Sequence, residues 1–483
     1  MIHSNAYKVR RFWNWFPLGL SYAFLYMGRY NLTVSKVALG DLMTKADFGF
    51  IFGFGTVTYA LAFLINGPLT DRIGGKKGML IAVAGAAVMN LLMGYYISIF
   101  TPDKISSFNI RTIFTILYSA NMYFQSFGAL SIVKVNAHWF HVNERGGFSG
   151  IFGTMISSGI FFAFTVNGWI LAVSTGNEGS VTAVKIVFFA PALVLLIMFL
   201  VEFFLLKDRP GLAGFKDFDT GDASSGEEDV KISSFAIIKK VITNPIILTI
   251  ALVEFCTGVL RNGVMHWFPI YAKEVLKLPA HHWLRHGSWG DWQLVAAIFA
   301  AAAILFVLAV RSQGKRRVWL IISGALVALA PFLMGGWGGI LMVAGVIGGN
   351  VAGWVSDIFF NSRRAPAAGG LYGLLALVLV FMFFSMNNVW MLGIIVFIVS
   401  TCVIGTHGLL SGTATMDFGG RKGAATAVGI IDGFVYLGTG VQSFALGWIT
   451  SKNWNLWPVF LIPFAFIGFF LLLKIWNAKP GKK

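Results

Sequence analysis

The sequence predicts an all-α polytopic membrane protein with about fourteen spans. Three observations carry this. Mean hydropathy is +0.75. Charged residues make up only 12% of the chain, about half the share a soluble protein carries. Apolar runs of roughly the 20 residues that cross a bilayer recur along the whole length. Inside lipid the backbone must satisfy its own hydrogen bonds, so each run is a helix. The net charge of +17 does not point to nucleic acid, because the basic residues cluster in short loops, as membrane topology requires. The two cysteines, Cys256 and Cys402, lie in apolar segments and imply no disulfide framework and no metal site. No cofactor is expected.

The spans fall at 12–38, 48–70, 78–100, 110–137, 147–173 and 181–206, then at 244–269, 292–311, 318–335, 339–358, 367–385, 391–413, 424–447 and 456–475. The basic start, MIHSNAYKVRRFWNWF, leads into the first span with no small-residue cleavage site and reads as an uncleaved first helix. Alternating sides puts roughly 25 of the 37 Lys and Arg on the side of the N-terminus. That predicts an integral protein of the plasma (inner) membrane with both termini cytoplasmic. Residues 1–206 form an N-terminal six-helix bundle. The stretch 207–243, with KDRPGLAGFKDFDTGDASSGEEDVK, is rich in Gly, Ser and acidic residues and reads as a flexible cytoplasmic linker. Residues 244–483 form the C-terminal bundle, with two extra apolar segments at about 289–336 as an inserted hairpin.

Arg29 and Arg261 lie inside apolar stretches at corresponding places in the two halves. A guanidinium stays charged at any physiological pH, and holding it at membrane depth costs at least roughly 2.5–3.5 kcal/mol. Two such residues, one per half, predict a central site for an anion, and phosphate or carboxylate best fits the planar fork.

Two loops also repeat. GPLTDRIGGKKG follows the second span, and GNVAGWVSDIFFNSRRAP follows the tenth. Each puts an Asp, Asp71 or Asp357, near a helix end ahead of basic residues, with Arg72 directly after the first. Such repeats mark a two-bundle transporter, and the loops are candidate gates. A purely topogenic basic loop is the simpler alternative.

The first loop resembles the signature of the major facilitator superfamily. Further motifs resemble its organophosphate:phosphate antiporters. These are Tyr26-x-x-Arg29-x-Asn31, Leu260-Arg261-x-Gly263-x-x-x-Trp267-x-Pro269-x-Tyr271, and Arg421-Lys422-x-Ala424-Ala425-Thr426-Ala427-x-Gly429 leading to Tyr436-Leu437-Gly438. His138-Trp139 with Glu144-Arg145-Gly146, and Asp208-x-Pro210, fit the same pattern, and Lys36 resembles a feature of the animal sugar-phosphate exchangers. The resemblance covers nearly the whole chain. It implies exchange of an organic phosphate ester for inorganic phosphate, with Arg29 and Arg261 holding the phosphoryl group. Three features depart from the family. A basic residue usual in the second span falls on Phe63, a histidine usual in the fifth falls on Ile156, and the family has twelve spans rather than fourteen.

Other residues join the candidate site by helical spacing. Tyr22 and Tyr26 precede Arg29 by seven and three residues and share its face. Lys36 lies seven beyond it, facing the cavity or snorkelling to the interface. Asn121 and Gln125 make a polar stripe in the fourth span. Lys134, farther along, either replaces the charge absent at Phe63 or snorkels. Glu254 shares a face with Arg261, and Asp432 lies among apolar residues of the thirteenth span; both are candidate coupling residues. Trp267, His407 and Tyr436 complete the substrate-binding set, with interfacial or structural roles as the alternatives for Trp267 and His407.

The expected partners are a small anionic substrate and the lipid bilayer, with no nucleic acid and a monomeric state. The leading reading is a secondary antiporter for organic phosphates. A proton-coupled symporter of an organic anion such as a sugar acid is the alternative, and a sensor with a transporter fold is a third. No phosphate-binding loop and no nucleophile–base set supports an enzyme.

Overall fold

Fourteen long helical rods account for the architecture of the described residues. A computed structural model describes residues 3–99, 110–141, 153–175, 183–220, 243, 245–360 and 363–477, with the side chains of 175, 357 and 412–428 excepted. The first six rods are α1 (Asn5–Leu39), α2 (Lys45–Ile73), α3 (Gly75–Ile99), α4 (Ile110–Trp139), α5 (Gly153–Ser174) and α6 (Val184–Leu205). The next three are α7 (Pro245–Glu274), α8 (Trp292–Val310) and α9 (Gly314–Met334). The last five are α10 (Gly336–Phe360), α11 (Arg364–Ser385), α12 (Val389–Ser411), α13 (Ala414–Lys452) and α14 (Leu456–Lys474). Eleven of these are long and apolar enough to cross a membrane by composition alone. The other three are α1, α4 and α13, and they carry most of the polar residues discussed below.

Contacts sort these rods into two groups. In the first half α1 packs on α5 and α6, α2 on α4, and α3 on α4 and α6. In the second, α7 packs on α13 and α14, α10 on α12, and α11 on α12 and α14. The broadest contact between halves runs along α2 and α13. Small residues permit it: a Cβ on Gly49 would meet the backbone of Ser443 and Gly447. Without a hydrophobic force between helices in lipid, such close backbone approach is how spans attract one another.

Ser4 caps α1 by accepting from the Tyr7 amide, and Thr44 with Asp47 forms a reciprocal capping box at the start of α2. The α7 rod is broken at His266. Pro269 has no N–H for the Met265 carbonyl four residues back. The Trp337 indole supplies the missing donor at 3.0 Å, so the break is stabilised by α10.

The inserted pair is peripheral. Helix α8 packs on α9 and α9 on α10, and most of their side chains are exposed, including Trp292, Val310 and Trp319. The base of the pair is pinned by two backbone bonds, Ser288 N–H to Met334 O at 3.0 Å and Trp337 N–H to Arg285 O at 2.7 Å. It leans on α5, where Phe161 packs against Phe332 and Trp289, and the Trp169 indole donates to the His286 carbonyl at 3.0 Å.

Candidate functional site

Arg29 is wholly buried, and every nitrogen of its guanidinium is used. Nε donates to Gln125 Oε1 at 2.8 Å, Nη2 to the Tyr59 hydroxyl at 2.8 Å and Nη1 to the Tyr436 hydroxyl at 3.1 Å. Its carbon lies 4.7 Å from the Tyr26 ring centre and 4.6 Å from that of Tyr59. The donors are thus met by oxygens and the faces by aromatic quadrupoles, which favour a cation. Among the described residues no carboxylate bonds to it, so the positive charge is spread over neutral partners.

A second layer fixes this geometry. Gln125 Nε2 donates to Asn121 Oδ1 at 3.1 Å, and Asn121 Nδ2 donates to the Gly28 carbonyl at 3.1 Å. Asn90 donates to the same carbonyl at 3.0 Å and accepts from Asn31 at 2.8 Å. The Tyr118 hydroxyl reaches the Arg29 carbonyl at 3.2 Å. Buried polar groups must be paired, and this chain of amides pairs them while holding α1, α3 and α4 in register.

Arg261 comes from the second half and is buried in the same neighbourhood. It lies beside Tyr26, Tyr30 and Tyr436, three residues that also face Arg29. Its Nε has no hydrogen-bond partner among the described residues. One tyrosine-walled site therefore brings together the two arginines. Phe63 closes part of the wall, 4.5 Å from Tyr59 and 5.8 Å from Tyr436 between ring centres. Ile156 is partly buried and packs against the core.

Toward the end where α1 starts lies a further group. Glu254 is fully buried and bonded to His407 Nδ1 at 2.8 Å. The Ser411 hydroxyl donates to Asp432 at 2.5 Å. Asp432 interacts electrostatically with His407 and Arg261, and with Tyr22 from the first half. Tyr22 also packs edge-on against Tyr26.

Several residues expected at the site lie elsewhere. Lys36 sits at the opposite end and does not line the site: its ammonium pairs with Glu274 at 3.5 Å and donates to the Gly40 carbonyl at 3.1 Å. Glu274 also holds Lys45 at 2.8 Å, so one carboxylate from α7 ties α1 and α2. Lys134 pairs with Asp71 at 2.9 Å, between α4 and α2, and so does not stand in for the charge absent at Phe63. That pairing joins two helices of the first half near the end of α2. Arg72 is exposed. Trp267 spends its indole N–H on Gln442 at 3.1 Å and packs on Phe48. The Asp357 side chain, Glu144, Arg145, and the side chains of Arg421 and Lys422 lie outside the described residues. Asp208 accepts from the Lys76 amide at 2.7 Å and so serves the start of α3. Tyr30 and Tyr59 were missed as site residues. Tyrosines three or four residues from an intramembrane arginine, or facing it from the next span, are the signal that could have found them.

The end carrying Lys36, Lys45 and Glu274 is closed by contacts between halves. Thr33 and His266 meet at 2.7 Å, and Lys273 donates to the Val37 carbonyl at 2.6 Å. A small pocket lies near this end, between Thr33, Phe164, Pro269, Arg285, His286 and Trp337. Neither Arg29 nor Arg261 lines it.

A family model described as Major Facilitator Superfamily matches residues 18–339. The chain belongs to the major facilitator superfamily. It is therefore an integral membrane transporter of that superfamily, with an all-helical fold. Relatives include a glycerol-3-phosphate transporter of Bacillus subtilis, 25% identical over 99% of this chain and 94% of the relative. A membrane sensor protein UhpC of Salmonella typhimurium is 22% identical over 94% of this chain and 86% of its own length. A probable hexose phosphate transport protein of Chlamydia trachomatis is 22% identical over 98% and 92%. Among solved structures, the proton:xylose symporter XylE matches with TM-score 0.61 at 14% identity, covering 99% of this chain and 96% of that one. At that identity the likeness concerns the fold.

Proposed function

We propose that the protein exchanges an organic phosphate ester, of the sugar phosphate or glycerol phosphate class, for inorganic phosphate by alternating access. The observation that carries this reading is the meeting of Arg29 and Arg261, one from each half, around shared tyrosines and without a carboxylate on Arg29. A dianionic phosphoryl group neutralises both charges and takes up the free Arg261 Nε. The Tyr59 and Tyr436 hydroxyls, which accept from Arg29, have their own protons to donate to the phosphoryl oxygens. Because the arginines belong to different halves, the dianion is the element that draws the halves together and lowers the barrier to crossing. Relatives named as glycerol phosphate and hexose phosphate transporters support the substrate class. We place the protein in the plasma membrane as a monomer with both termini cytoplasmic. Residues 1–206 and 244–483 move as two bodies joined by the 207–243 linker. The end holding Lys36 and Glu274 then faces outward, closed.

The test uses purified protein in liposomes loaded with phosphate. Labelled phosphate should enter only when phosphate or an ester is present inside, with no need for a proton gradient. Uptake driven by a proton gradient into phosphate-free liposomes points instead to symport. The buried Glu254–His407 pair and Asp432 are the observation on which that second reading stands.

A further inference from the structure

The phosphoryl site has a second floor. Tyr22 precedes Arg29 by seven residues, Glu254 precedes Arg261 by seven, and Asp432 precedes Tyr436 by four. All three helices run in the same sense at these points, so the three side chains lie roughly 6–10 Å nearer the start of α1 than the arginine layer. His407 from α12 joins them through its bond to Glu254. The layer draws on both halves, with Tyr22 from the first and the others from the second.

The chemistry of this layer is opposite to that of the arginines. His407 Nδ1 occupies Glu254 Oε2 at 2.8 Å, which leaves Oε1 of the same carboxylate to be met by another group. Asp432 keeps one oxygen after Ser411 has donated to the other. Glu254 Oε1 is buried and has no hydrogen-bond partner among the described residues. An acceptor with no donor is costly when buried, and Arg261 Nε, also without a partner among the described residues, stands two turns away on the same helix. One unmet acceptor and one unmet donor on one helix face describe a ligand with an anionic end and a hydrogen-bond-donating end.

Resting on the exchange reading above, we infer that Glu254, His407 and Asp432 form the subsite for the organic part of the ester, and that this part is uncharged and rich in hydroxyl groups. Hydroxyls donate to the spare acceptors. A carboxylate on the organic part meets two carboxylates in a low-dielectric layer and is repelled. Glu254 and Asp432 thereby become specificity residues rather than only coupling residues.

The experiment measures thermal stabilisation of the purified full-length protein and competition against phosphate homoexchange, with the same ligands in both. The panel is inorganic phosphate, a hexose 6-phosphate, glycerol 3-phosphate and 3-phosphoglycerate. The hexose ester should bind at least about tenfold more tightly than the carboxylated ester. In Glu254→Gln and Asp432→Asn that preference should fall by about tenfold relative to inorganic phosphate in the same variant. If Glu254→Gln does not yield folded protein, Glu254→Asp keeps the charge but withdraws the carboxylate by one methylene, and should lower the same ratio. Equal or tighter binding of the carboxylated ester overturns the inference, as does a ratio unchanged in every variant or no stabilisation by any ester. Absence of homoexchange with the preference intact in the stabilisation assay overturns the exchange reading instead.

Discussion

Arg29 and Arg261 stand at matching places in the two halves, yet the protein holds them differently. Arg29 has a hydrogen-bond partner on each of its three nitrogens and rings against its faces, and a relay of Asn and Gln stands behind it. Arg261 keeps a free Nε and has Glu254 and Asp432 within electrostatic range. The first is a preorganised charge, fixed before any ligand arrives; reorganisation on binding falls on the tyrosines. The second sits in a mixed field whose balance a ligand alters. Structural repetition has thus left one half with the rigid part of the clamp and the other with the adaptable part.

The strongest way to break this comparison is to exchange each arginine for lysine. An ammonium cannot reach three partners in a plane. Bonds to a charged group contribute about 1.5–3 kcal/mol each, so Arg29→Lys should lower phosphate exchange by roughly 10²-fold or more. Arg261→Lys should lose less, on the order of tenfold, because fewer of its bonds preexist. Equal losses in the initial rates of the two variants would remove the distinction. Next, Tyr59→Phe removes one oxygen from Arg29 while keeping the ring, and should cost about tenfold in apparent phosphate affinity. Binding titrations check this, and an unchanged value would mean the hydroxyl merely fills space.

A smaller effect is expected from Asn121→Ala. It leaves Gln125 and the Gly28 carbonyl short of a partner each, so about 1–2 kcal/mol of stability is lost, seen as a lower melting temperature. Exchange should fall only a few-fold after correction for folded protein. The smallest change should follow Glu274→Gln. Its pair with Lys45 is partly exposed at one end of the molecule, where such contacts are worth about 0–1 kcal/mol, and its contact with buried Lys36 is long, at 3.5 Å. Label-to-label distances across that end should show a modest rise in the open population with affinity at the arginines unchanged. A fixed distance distribution would mean that Thr33–His266 and the α5 contacts hold the end shut without it.

Much of this architecture is legible in the linear chain. The all-helical fold and the placement of Arg29, Arg261, Gln125 and Tyr436 on long helices follow from hydropathy and helical spacing. What spacing cannot supply is the partner. Lys36 shares a face with Arg29, but Glu274, more than two hundred residues away, draws it to the other end of the molecule. Lys134 looks like a cavity cation until Asp71 is brought beside it by the packing of α2 on α4. Tyr30 and Tyr59 are hidden for another reason: an aromatic residue in a span is as apt for lipid or packing as for a cation, and only the folded neighbourhood distinguishes them.

The pinned base of α8 and α9 has a mechanical consequence. Two backbone bonds make the pair an outrigger on the second half. In the exchange cycle proposed above, rotation of the halves would sweep this arm sideways through lipid on one flank only. The friction and lateral pressure of the bilayer therefore act with unequal leverage on the two halves. The speed of the cycle should depend on membrane fluidity more steeply than in a carrier built of twelve spans.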